Sequence, residues 1–169
     1  STGEYFVSIL VETGHEKFEK TGKEVGIDLG IKDFAITSAG YKYKNNRYTK
    51  IYASKLKEHQ QHLSRKVKGS NRYNKQKLKV AKLHKKIANS RIDNLHKVST
   101  ELVKKYDRIF IEDLNIKGMT KNHKLSKHIA DVSWGKFLTL LNYKVEWSDK
   151  EIIRIDRFFP SSKSCNCCV

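Results

Sequence analysis

The chain has 169 residues, with 35 Lys or Arg against 18 Asp or Glu for a formal net charge of +17, and only three cysteines. That length fits one domain with a core large enough to fold without disulfide staples, and three cysteines gathered at positions 165, 167 and 168 exclude a disulfide framework. No apolar run approaches the ~20 residues of a membrane span, no signal-peptide pattern opens the chain, and the charge excess far exceeds what solubility needs, so a cytosolic protein with a polyanionic partner is expected.

In chain order, EYFVSILVE at 4–12 alternates and is rich in β-branched and aromatic residues, which predicts a strand. EVGIDLG, DFAITS and RYTKIYAS follow with turn signals at AG and KNN between them, and predict an antiparallel three-strand meander. From about Ser54 the period becomes helical, with Leu56, Leu63 and Val67 on one face and a break at Gly69. A longer helical run then spaces Leu83, Ile87, Leu95, Val98 and Leu102 along a second face, giving a helical hairpin with a basic outside. RIFIEDL reads as a strongly apolar strand, NIKGMTKNHKLSKH as a loop, and SWGKFLTLLNYKVEWSDK as a helix whose stripe holds Phe137, Leu140, Leu141 and Lys144. EIIRIDRFF supplies the last strand, ended by Pro160. A meander followed by strands reached through helical crossovers is the order of an α/β, RNase H-like fold.

The charge is concentrated. Between Lys55 and Lys105 there are 16 Lys or Arg and three acids, Glu58, Asp93 and Glu101, so this arm carries +13 of the +17. Arg65, Lys66, Lys68, Arg72, Lys75, Lys79, Lys82, Lys86 and Arg91 are its candidate phosphate contacts, and salt-dependent nucleic-acid binding is expected. The alternative is a solvated basic helix with no dedicated partner. An anionic membrane surface fits less well, because Asn, Gln, Ser and His interleave the cations where a broad apolar face is required.

Two strands each carry an acid among residues built for burial. In EVGIDLG, Val25, Ile27 and Leu29 fall on one face and Gly26, Asp28 and Gly30 on the other, with the glycines leaving open space over the carboxylate. Glu112 ends the RIFIE strand, which the proposed topology sets beside the first. Adjacent carboxylates repel unless a cation lies between them, and Mg²⁺ suits such oxygen ligands and bridges to phosphate. A pair of such ions can activate water and stabilise the leaving oxygen of a phosphodiester. The alternative is that Asp28 caps a turn and Glu112 meets a lysine of the arm. Asp113 points to the opposite face, a turn or capping position.

Taken together, GIDLGIKDFA, the arm from LSRKVKGSNRYNKQ to STELV, IFIEDLNIKGM, VSWGKFLTLLNYK and IDRFFPSSKSCNCC resemble the C-terminal half of the TnpB, or OrfB, family of insertion-sequence proteins, relatives of type V CRISPR effectors. The resemblance runs from Glu24 onward. It implies a RuvC-like, Mg²⁺-dependent endonuclease that is guided by an RNA from the transposon end, cuts target DNA, and works in the cytoplasm of a bacterium or archaeon at its nucleoid. Asp28 and Glu112 match the family's catalytic Asp and Glu as Mg²⁺ ligands. Residues 1–23 would end a wedge-like β domain, 24–157 would form the nuclease domain with 54–106 as its basic helical arm facing guide RNA or heteroduplex, and 158–169 would begin a zinc ribbon.

Cys165 and Cys168 form C-x-x-C, half of a tetrahedral Zn²⁺ site, and the family continues with a second pair about fifteen to twenty residues later and then a third catalytic Asp. Val169 stands where the family commonly has Gly, and Cys167 is an extra thiol. The chain opens on Ser1 and stops within this ribbon, so it is expected to be C-terminally truncated, and its own cleavage competence is open. A non-cleaving RNA- or DNA-binding remnant or regulator of the same family is the competing function. Asp156 is the nearest spare carboxylate, with a structural role at the strand end as the alternative to metal binding.

His59 and His62 read H-x-x-H but sit among Lys57, Gln60 and Gln61, and are expected at the surface. Trp134 and Trp147 are expected to pack, or to stack on a base. FFPSSK at 158–163 is either a nucleic-acid contact or a packed lead-in to the cysteines.

Overall fold

The structure is a computed structural model that describes residues 2–12, 14 and 17–156. Among these, five strands form one mixed sheet: β1 Glu24–Leu29, β2 Asp33–Thr37, β3 Lys42–Lys44, β4 Arg108–Glu112 and β5 Glu151–Ile155, in the order β3-β2-β1-β4-β5. β1, β2 and β3 pair antiparallel, while β4 lies parallel to β1 and β5 parallel to β4. The helices are α1 Tyr48–Ile51, α2 Ala53–Ser64, α3 Asn71–Lys105, α4 Ile116–Met119, α5 His123–Val132 and α6 Trp134–Trp147. This mixed α/β arrangement is compatible with an RNase H-like fold.

The alternation in β1 and β4 explains the layering. Val25, Ile27, Leu29, Ile109 and Ile111 are buried on one face, against Leu95, Leu102 and Val103 of α3 and Phe137 and Leu141 of α6. Phe34 meets Phe137 edge to face at 5.0 Å between ring centroids. Phe137 is fully buried, so Phe137→Ala removes apolar contact and leaves a cavity; about 3–5 kcal/mol of stability should be lost, read as an earlier denaturant midpoint. Lys144 lies on the same helix face, and the structure shows why a lysine fits there. Its Nζ donates to His96 O at 2.9 Å, Ser99 Oγ at 2.8 Å and Thr100 Oγ1 at 2.6 Å, tying α6 to α3, and burial pushes its ammonium below the usual lysine range.

Lys150 makes the second internal clamp. Its Nζ donates to Val103 O at 2.7 Å and pairs with Asp107 Oδ1 at 3.0 Å, while Asp107 Oδ2 accepts from the N–H groups of Gly22 at 2.6 Å and Thr21 at 2.8 Å. Burial alone would push the Asp107 carboxyl up, but the bonds from Lys150, Gly22 and Thr21 outweigh it and hold the group below its ordinary 3.8. A depressed acid stabilises the fold above its unfolded-state value and loses that contribution as pH falls through the lower folded value. The melting temperature should therefore fall on acidification below pH ~4, and fall less steeply in Asp107→Asn.

Several local expectations are corrected. Residues 4–12 form no strand: Tyr5 is 99% and Leu10 101% exposed, and the segment has no ladder partner among the described residues. Alternation alone does not make a strand without an edge to pair with. RYTKIYAS is helical, and the third strand is instead Lys42–Lys44. Asn45 accounts for the change: its side chain donates to Ile31 O at 2.7 Å and accepts from Arg47 N–H at 3.1 Å, and Arg47 adopts a left-handed φ of 46° that turns the chain into α1. The expected loop at 115–128 contains α4 and most of α5; Asn115 caps α4 by accepting from Gly118 N–H at 2.9 Å. Val67 is 79% exposed in the α2–α3 turn, because α2 ends at Ser64. Leu83, Ile87, Leu95, Val98 and Leu102 are all buried, as their spacing predicts.

Candidate functional site

The register of β1 on β4 pairs Glu24 with Arg108 and runs one for one to Ile27 opposite Ile111. Asp28 and Glu112 are the next residue on each strand. Neighbouring strands lie about 4.8 Å apart, and opposed residues of a parallel pair share a face, so the two carboxylates stand side by side. They occupy the face away from α3 and α6. Asp28 is exposed and Glu112 half-buried, and neither side chain has an ion-pair or hydrogen-bonding partner among the described residues. The alternative in which a lysine of the arm neutralises Glu112 is thus not what the described residues show. Two hard oxygen donors with no cationic side chain paired to them among the described residues are a donor set for an oxygen-seeking divalent cation.

Of the two flanking glycines, Gly30 does different work from the one the sequence suggested. A Cβ on Gly26 would meet only ordinary contacts with Ser38, whereas one on Gly30 would come within 2.8 Å of Asp33 O. Gly30 is required because the β1–β2 turn folds back on it, and its N–H donates to Phe34 O at 3.2 Å. That turn fixes the C-terminal end of β1, where Asp28 stands.

The neighbouring acids lie elsewhere. Asp113 is 3.6 Å from Arg154, and its alternation puts it on the opposite face from Glu112. Ile155 pairs with Glu112, so Asp156, one residue past β5, follows the alternation of Asp113. Only two carboxylates meet at this position among the described residues.

The basic residues lie mostly on α3 and the turn before it. Arg65, Lys68, Arg72, Lys75, Lys79, Lys82 and Lys86 are exposed and Lys66 is half-buried. On α3 the spacing 72, 75, 79, 82, 86 is a single stripe about 21 Å long, one residue out of phase with buried Gln76, Leu83 and Ile87. Ser70 starts this helix, its Oγ accepting from Tyr73 N–H at 3.1 Å. Arg91 stands apart: its Nη2 pairs with Asp131 at 2.6 Å and approaches Thr49 Oγ1 at 3.2 Å, joining α3 to α1 and α5.

Beside that pair lies a cleft of about 370 Å³ where Arg47, Lys50, Lys127 and His128 converge with Asp131. Sequence reasoning missed it, because its two walls were read as a strand and a loop about 80 residues apart. Trp134 is buried in the core, whereas Trp147 is 49% exposed and stacks edge to face on Tyr143 at 4.7 Å. Cys165, Cys167, Cys168 and FFPSSK lie outside the described residues. No helix among the described residues is long and apolar enough to cross a membrane.

Comparison with known proteins matches residues 8–131 to the family OrfB of IS605, described as "Probable transposase", and residues 134–169 to the "Cas12f1-like, TNB domain". The chain is 40% identical, over 98% of its length, to a Streptomyces pristinaespiralis protein named "Putative RNA-guided DNA endonuclease", of which it covers 41%. It is 31% identical over 99% of its length to an Escherichia coli protein named "Putative RNA-guided DNA endonuclease InsQ", covering 46% of it. A "TnpB-like protein" of Acanthamoeba polyphaga mimivirus is 25% identical over 98% of the chain and 35% of that relative. The chain thus spans less than half the length of these relatives.

Proposed function

This chain belongs to the OrfB family of IS605-type transposases, the TnpB-like proteins, and on that premise we propose that it forms the RuvC-like nuclease part of an RNA-guided DNA endonuclease. The observation that carries the reading is the meeting of Asp28 and Glu112 on one sheet face with no compensating cation among the described residues. In this reading the two carboxylates hold Mg²⁺. When bound, the metal supplies the charge that activates water and stabilises the leaving oxygen of the phosphodiester.

The chain's own residues do the positioning. The β1–β4 register holds the two carboxylates level with each other, and Gly30 lets the turn close behind Asp28. The stripe from Arg72 to Lys86, with Arg65, Lys66 and Lys68 in the preceding turn, neutralises backbone phosphates of guide RNA or heteroduplex, a recognition of shape and charge rather than of bases. Arg91 lies off that stripe and pairs with Asp131 in the wall of the neighbouring cleft, where a phosphate would be met from a second side. The guide is taken from the transposon end. Residues 1–23 belong to a preceding wedge-like domain, 24–157 to the nuclease domain with 54–106 as its inserted basic hairpin, and 158–169 to a zinc ribbon in which Cys165 and Cys168 are Zn²⁺ ligands.

The test is cleavage of a labelled target duplex with matched or scrambled transposon-end RNA, in Mg²⁺ or chelator. Cutting that needs both matched RNA and the metal is the expected result. Salt-sensitive RNA binding with no cut in any arm would instead support a nucleic-acid-binding protein without cleavage. That second reading is favoured by one observation, that Asp113 and Asp156 do not join the two carboxylates.

A further inference from the structure

We propose that Glu58, His59 and His62 of α2 form a binding site for a transition-metal dication of the Zn²⁺ class, separate from the carboxylate pair on the sheet. One ligand atom from each of the three lies within 4.8 Å of the others. The spacing explains the convergence: His59 and His62 are three apart and Glu58 and His62 four apart, so they share one helix turn. Donors around a tetrahedral metal with ~2.0 Å bonds stand about 3.3 Å apart, and side-chain rotation closes the remaining gap without moving the backbone.

Two imidazoles and a carboxylate are the donor types that zinc and its neighbours prefer, whereas Mg²⁺ prefers oxygen alone. The two candidate metal positions therefore differ in the ion they select. Three protein ligands leave an open position, which a water or a phosphate oxygen can fill.

Two further observations favour the site. Gln76, buried in α3, donates from Nε2 to His59 O at 3.0 Å, pinning the turn of α2 that carries all three ligands. His59 Nδ1 is shielded from solvent with no hydrogen-bonding partner among the described residues, an orphan of the kind that metal coordination satisfies. Glu58 is also one of only three acids in an arm of 16 Lys or Arg, so it offsets the local repulsion a metal ion meets there.

The test titrates Zn²⁺ against a chromophoric chelator, using the full chain with Cys165→Ser, Cys167→Ser and Cys168→Ser so that no thiolate competes. One equivalent is expected to bind, and His62→Ala and Glu58→Gln should each weaken it at least ~10-fold with an unchanged circular dichroism spectrum. His84→Ala, at an exposed histidine of α3, should leave it unaltered. Failure of the triple-Ser chain to bind Zn²⁺, equal affinity in His62→Ala, or equal weakening by His84→Ala would each overturn the proposal. Because no nucleic acid or cleavage enters the assay, its outcome is independent of the nuclease reading.

Discussion

On the proposed nuclease reading, Asp28→Ala and Glu112→Ala are each expected to lower RNA-guided cleavage by roughly 10³-fold while leaving the fold and RNA binding intact, since removing one preorganised electrostatic group from a reacting centre typically costs that much. The separation of the two effects follows from the geometry. Neither side chain has a partner among the described residues, so truncation removes no stabilising bond and should change stability by within about 0.5 kcal/mol. Loss of one of two adjacent negative charges relieves repulsion, so the melting temperature should hold or rise slightly. Asp28→Asn keeps the shape and removes the charge; it should be as inactive as the alanine variant if metal binding is the role. Asp113→Ala is the control: it breaks a 3.6 Å pair with Arg154 on the other face and should cut normally. Undiminished cutting by Asp28→Ala would place the chemistry elsewhere in the molecule.

The carboxylate pair was legible in the sequence because a period of two is rigid. Once Val25, Ile27 and Leu29 are assigned to the core, Asp28 has no face left but the other one, and the same holds for Glu112 after Ile109 and Ile111. The α3 core positions were legible for the same reason at a period of 3.6. What failed depended on contacts distant in sequence. RYTKIYAS has strand-forming residues, yet Asn45 turns the chain out of the sheet and Thr49 Oγ1 bonds Asp131 at 2.5 Å, 82 residues away. The alternation at 4–12 predicted a strand that has nothing to pair with among the described residues. Gly30 was noticed for the wrong reason: open space and close backbone approach both favour glycine, and only coordinates separate them. The histidines lie at the surface as expected, His62 exposed and His59 half-buried, and their convergence with Glu58 depends on side-chain directions that the chain neighbours do not give.

The arm yields the second large effect. Lys75→Gln, Lys79→Gln and Lys82→Gln together should flatten the salt dependence of RNA or DNA binding. Each lost phosphate contact lowers the slope of log affinity against log salt by about 0.7–0.9, so three lower it by about 2–3. Between 50 and 200 mM salt that difference amounts to roughly 20–40-fold in affinity, a change filter binding resolves. The three lysines are exposed on the stripe one residue out of phase with the α3 positions that pack, so the fold should be unaffected. Arg91→Gln should behave differently, because its guanidinium holds Asp131 at 2.6 Å across the α3–α5 contact, and its loss should lower the melting temperature as well as alter binding. An unchanged slope in the triple variant would assign the phosphates to another surface, the first candidate being the cleft lined by Arg47, Lys50, Lys127 and His128. The three lysines and that cleft are reached from different helices, so the same salt titration on Lys50→Gln with Lys127→Gln decides between them.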